Sequence, residues 1–257
     1  MAIDFQFITS LIIGIAIGAA SGFLGAFMIL KRMALVGDAL THVALPGIGF
    51  ALLLGINPFF GAFALLFLAM ILIWKLEQRT DLSIETIVGI FFASSLAIGI
   101  LVIPDLELYE ALFGDISRVG LWDGIFALIA AGGIFIIMIK IADKMLMGII
   151  SEDLAISSGI KIRRLNFIFL FLVAVIVALG VKVVGSLLMG GLVIIPAAAA
   201  RNISRSFRQF AFWSSIFGLI SAGCGIYVAK IFAILPGPTV ILFSAAIFLI
   251  SLIFKRR

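Results

Sequence analysis

Nine apolar runs of roughly 17 to 24 residues, separated by short polar breaks, constrain this chain more than any other feature. An α-helix needs that length to cross the hydrocarbon core of a bilayer, and the alternating pattern of a transmembrane β-strand is not seen. Because a spanning backbone must satisfy its N–H and C=O groups internally, the expected fold is an all-α polytopic bundle. Composition agrees: 64% of residues are hydrophobic and 12% charged, against roughly half and a quarter in a soluble domain.

The runs lie near residues 7–30, 33–55, 58–74, 85–103, 121–142, 165–182, 183–200, 209–231 and 238–254, so residues 1–257 read as one transmembrane domain. The sixth and seventh nearly fuse. Run 183–200, with Gly185, Gly190, Gly191 and Pro196, is the weakest; if it were only re-entrant, the crossings would number eight. The first run lacks a basic leader and a small-residue cleavage site, and reads as a retained span.

Loop charges choose between these topologies. Placing alternate loops on one side gathers 15 of the 18 basic residues there, from Lys31 and Arg32 through Arg201, Arg205 and Arg208 to Lys255, Arg256 and Arg257. Acids dominate the opposite loops, and Lys182 and Lys230 lie near that surface. The positive-inside rule then predicts nine crossings, an outer N-terminus and a cytoplasmic C-terminus. Eight crossings would push 201–208 and the terminal Lys-Arg-Arg outside. The basic excess is thus topological, and its alternation with spans forms no groove for nucleic acid.

Smaller features suggest packing and docking. Gly14, Gly18 and Gly22 recur at four-residue spacing, a stripe that lets two helix backbones approach closely. Trp74, Trp122 and Trp213 fall near run ends, as interfacial indoles do. Cys224, alone in an apolar run, reads as a packing residue. The outer loop 104–120 is acidic. The inner loop 142–166 predicts a short helix at about 150–160, with Ser151 as N-cap, Glu152 and Asp153 in the first turn, and Gly159 as its stop.

No phosphate-binding glycine loop, nucleophile elbow or His-Glu-x-x-His motif occurs. The chain is therefore not read as an enzyme, and no cofactor is expected. Work driven by ATP would need an ATPase in another subunit.

One stretch departs from the apolar rule. Asp38 and the only histidine, His42, lie four residues apart within the second run, one turn apart on the same helix face. Ionisable groups at that depth cost several kcal/mol unless they face protein or water, so they mark a site by default. Thr41 adds a hydroxyl, and Pro46 with Gly47 is expected to break the helix and expose carbonyls. A carboxylate and an imidazole suit a structural pair, a proton relay, or half of a site for a borderline divalent cation. The residues alone leave the three open.

Three motifs in order carry a resemblance. "KRMALVGDALTHVALPGIGFALLLG" (31–55), "EDLAISSGI" (152–160) and "VKVVGSLLMGGLVIIPAAAAR" (181–201) together resemble the signatures of the ABC-3 permease family, the membrane subunits of zinc, manganese and iron ABC importers. The resemblance implies a bacterial inner-membrane protein working as a homodimer on two ATP-binding subunits, fed by an extracytoplasmic metal-binding protein. It implies that Asp38 and His42 bind the transported divalent metal, and that the helix bearing Glu152, Asp153, Ala155 and Gly159 contacts the ATPase. Two copies facing across an axis would supply two carboxylates and two imidazoles, provided that the second spans line that interface. The rival is a proton-coupled secondary transporter or channel acting alone. Such a protein would more often carry several intramembrane acids, whereas Asp38 is the only acid far from a loop.

Overall fold

The computed structural model describes residues 5–103, 111–113 and 121–254, with side chains at all of these except 5, 121–123, 182–184 and 187–188. The 104–120 loop, apart from 111–113, and the terminal Lys-Arg-Arg lie outside the described residues, as do the side chains of Trp122 and Lys182.

Within the described residues the fold is helical throughout. In chain order the elements are α1 (Phe5–Leu30), α2 (Ala34–Leu53), α3 (Pro58–Arg79), α4 (Ile84–Val102), α5 (Leu121–Ile150), α6 (Glu152–Ser157), α7 (Ile162–Val184), α8 (Ser186–Ile203), α9 (Phe207–Phe232) and α10 (Pro236–Ile253). Eight of them are long and apolar enough to cross a membrane; α8, the weakest run, carries a shorter apolar stretch over Met189–Ile203. At 1.5 Å per residue, the 18 residues of α8 reach about 27 Å, close to the roughly 30 Å of the hydrocarbon core. A single residue divides α7 from α8. Gly185 sits at φ +91°, a left-handed conformation that side chains resist.

Local sequence explains the other helix starts. Asn57 accepts the Phe59 N–H at 3.0 Å, with Pro58 at the first helical position. Ser83 accepts from the Thr86 N–H and Ser206 from the Gln209 N–H. These side chains satisfy amide donors left free in a first turn.

Packing rests on close backbone approach. The glycine stripe of α1 finds its partner in α9, where Gly18 lies against Gly218 and Gly22 against the Ser214 backbone. Gly25, one turn further, meets Val193 of α8. Without a hydrophobic effect to distinguish protein from lipid, such approach supplies the dispersion contacts that hold helices together. Cys224 corrects its expectation: it is exposed on α9 rather than packed inside.

α2 is the enclosed element. It packs against α3, α4, α7 and α8, and 72% of its central window is buried, against 22% for α4 and α5. Gly47 crosses Gly61 of α3, and Gly99 of α4 lies on Leu45 and Pro46. The outward faces of α4 and α5, with Leu101 and Ile129 among their exposed side chains, suit a lipid environment.

Candidate metal site

A tight turn places the site. Arg32 takes a left-handed φ of +57°, and the Met33 N–H reaches back to the Met28 carbonyl at 2.8 Å. α1 thereby ends in a Schellman-type cap and α2 starts at once. Asp38 follows one turn into α2, and His42 stands about 6 Å higher.

The local bonds fix the imidazole. Thr41 Oγ1 donates its one proton to the Asp38 carbonyl at 2.6 Å. His42 Nδ1 lies 3.0 Å from that carbonyl and 3.2 Å from Thr41 Oγ1. A carbonyl only accepts, and the Thr41 hydroxyl has already used its proton, so Nδ1 must carry the hydrogen. By this assignment the neutral ring keeps its lone pair on Nε2, the atom able to bind a metal. The ring is 4% exposed and meets the Phe92 ring of α4 at 4.7 Å, edge to face.

Asp38 is half-buried and rests on α8. A Cβ built on Gly190 would lie 2.8 Å from the Asp38 Cα and 2.5 Å from its Oδ1. Sequence reasoning treated Gly190 only as a weakness of the run. That a glycine there leaves room for a carboxylate on another helix has no sequence signal without the pairing of α2 with α8.

The expected helix breaks are not seen. α2 runs unbroken through Pro46 and Gly47, and α8 through Pro196. Dense packing around α2 holds the helical path, and Gly47 serves the crossing with α3. Each proline still lacks an N–H, which deprives the carbonyls of His42 and Leu192 of their i+4 donors. Within one chain the His42 side of α2 faces the chain's own helices, while Leu35, Phe50 and Leu53 near its ends are exposed. His42 is enclosed by helices of its own protomer.

The short helix expected in the 142–166 loop is present as α6. Ser151 caps α6, accepting the Leu154 N–H at 3.3 Å, and Glu152 and Asp153 occupy its first turn. Gly159 ends it at φ +78°, with its N–H on the Ile156 carbonyl at 2.9 Å. Ala155 is fully buried, whereas Leu154 and Ile156 are more than half exposed. Leu154 and Ile156 flank Ala155 on either side of the helix, so both stay exposed while the alanine is buried. A groove of about 990 Å³ beside Ile156 is lined by Trp74, Gln78, Glu152, Ile156 and Arg163. Trp74 does not end its helix, which continues to Arg79; its Nε1–H donates to the Arg163 carbonyl at 3.3 Å.

Lys31 ties the turn between α1 and α2 to α7. Its Nζ donates to Asn166 Oδ1 of α7 at 2.6 Å and lies 5.4 Å from the Phe169 ring centre. Burial pulls its ammonium below the usual lysine range, while Glu77 and Glu152 oppose that shift.

Among the described residues no group of three or more His, Cys, Asp or Glu converges on one point.

Similarity to known proteins runs along the whole chain. The profile of the ABC 3 transport family matches residues 4–255. The high-affinity zinc uptake system membrane protein ZnuB of Buchnera aphidicola subsp. Baizongia pistaciae is 35% identical over 245 residues, covering 93% of this chain and 94% of that one. The manganese import system permease protein ScaB of Streptococcus gordonii is 33% identical over 255 residues, covering 96% and 91%. Among solved structures, PsaBC from Streptococcus pneumoniae in complex with Fab aligns at a TM-score of 0.85 with 29% identity, covering 97% of this chain and 91% of that one.

Proposed function

The chain belongs to the ABC 3 transport family, and from that premise we propose that it is the permease of an ATP-driven importer for a divalent transition metal, zinc, manganese or ferrous iron. The observation that carries the metal assignment is the pair itself, a buried His42 one turn from a half-buried Asp38. His42 has Nδ1 committed to the Asp38 carbonyl and Thr41, leaving Nε2 as the donor, one turn from a carboxylate. Imidazole plus carboxylate without thiolate suits these three metals, and relatives named for zinc and for manganese share this family.

The chain works as a homodimer in the bacterial inner membrane, N-terminus outside and C-terminus in the cytoplasm. Each copy carries its own Asp38–His42 pair. An extracytoplasmic metal-binding protein delivers the ion, and two ATP-binding subunits dock at Glu152, Asp153 and Gly159 beside the exposed Leu154 and Ile156. ATP-driven closure of those subunits moves α6 and switches access to the site. Transport follows only if the inward-open state holds the metal more weakly than the outward-open one.

Reconstitution with the ATPase and the delivery protein in vesicles tests this reading. Zinc or manganese should accumulate only with hydrolysable ATP. Accumulation driven by a proton gradient without the ATPase would sink it in favour of a secondary transporter.

A further inference from the structure

At the end of the bundle where α9 begins and α10 ends lies a groove of about 710 Å³. α9 lines it with Gln209, Trp213 and Phe217, four residues apart, and α10 with Ile247, Ile250 and Phe254. Its walls follow the helix axes, and Gln209 to Phe217 spans about 12 Å along α9. Arg205 stands exposed at the mouth, where its N–H is held by Gln209 Oε1 at 3.1 Å. The groove is therefore apolar along its length and cationic at one end.

The C-terminal part of the chain, which builds both walls of the groove, carries no acid to offset Arg205. After Asp153 the sequence contains 11 basic residues and no acid, and α8, α9 and α10 all belong to this acid-free part. A second copy placed here would bring its own basic mouth against the first. The complementary occupant has an anion joined to a long apolar tail. A zwitterionic lipid carries its own cation beside the phosphate, so complementarity favours a net negative headgroup.

We propose that this groove binds an anionic phospholipid of the bilayer, with an acyl chain along Trp213, Phe217, Ile247 and Ile250 and the phosphate on Arg205. Trp213, 38% exposed, sits where it reports directly on the chain. The proposal is independent of the metal assignment, because its test reads neither transport nor metal.

The full-length permease carrying Trp74→Phe and Trp122→Phe is placed in phosphatidylcholine nanodiscs, and Trp213 fluorescence is followed as brominated phosphatidylglycerol or brominated phosphatidylcholine replaces the bulk lipid. Brominated phosphatidylglycerol should reach half-quenching at a roughly fivefold lower mole fraction, the preference expected from one basic contact. Arg205→Gln should bring the two lipids together, whereas Arg208→Gln, which does not line the groove, should leave the preference intact. Arg205 is an exposed loop residue, so its replacement does not threaten the fold. Equal half-quenching by the two lipids in the starting protein would overturn the proposal. So would a preference that survives Arg205→Gln, one that Arg208→Gln abolishes equally, or an absence of quenching by either lipid.

Discussion

The two regions proposed for metal binding and ATPase docking are built in opposite ways. Asp38 and His42 sit on the most enclosed helix, walled by α3, α4, α7 and α8, while α6 is a six-residue surface helix with Leu154 and Ile156 facing outward. In the first, every neighbour constrains the side chains. In the second, a cap, a stop, serine bonds to the Leu154 carbonyl and one buried alanine hold a short element in place. An ion site must fix two donors against a low-dielectric surround, whereas a docking helix must move with its partner. The contrast predicts that damage to α2 acts on metal and damage to α6 acts on coupling.

Removing the donors should have the largest effect. Asp38→Ala and His42→Ala are each expected to lower metal uptake about 100-fold or more, by analogy with the loss of metal-site groups, while co-purification with the ATPase stays unchanged. Uptake assays paired with pull-downs check both halves. Normal uptake in both variants would erase the difference between the regions.

Gly190→Ala touches neither donor yet should come next. Its new Cβ would fall 2.8 Å from the Asp38 Cα, so α8 and the carboxylate must part. About a tenfold rise in KM for metal is expected, with ATPase assembly retained. An unchanged KM would show that Asp38 needs no contact with α8.

These effects differ in how far sequence could foresee them. The helices and the α6 cap were legible because hydrophobic length and capping chemistry are local; the observed helices begin and end within a few residues of most apolar runs. The i, i+4 spacing likewise placed Asp38 and His42 on one face. Gly190 beneath Asp38, Phe92 beside His42, and the enclosure of the His42 side of α2 were not legible, since each depends on which helices pack together. Pro46 and Pro196 failed as helix breakers for the same reason. Tertiary packing around α2 and α8 overrides the hydrogen bond that each proline removes.

On α6 the expected effects are smaller and of another kind. Gly159→Val meets no atom within 4 Å, so its cost is backbone strain at φ +78°, about 1–2 kcal/mol or somewhat more for a β-branched residue. That is enough to misplace the end of α6. ATPase co-purification and metal-stimulated hydrolysis should fall about tenfold, while metal binding by the isolated permease should be unaffected. A loss of metal binding would mean that the two regions are not separable.

The mildest change isolates the cap. Ser151→Ala removes the acceptor of the Leu154 N–H and should destabilise α6 by about 1 kcal/mol, the usual worth of an N-cap. Glu152 and Asp153 remain in the first turn and continue to favour the helix through its dipole. A fivefold weakening of ATPase affinity is the most that about 1 kcal/mol allows, and Ser151→Asp, which keeps an acceptor, should restore it. If Ser151→Ala instead matched Gly159→Val in severity, Ser151 would have to contact the ATPase directly. The docking surface would then extend beyond the exposed face of α6 to include its cap.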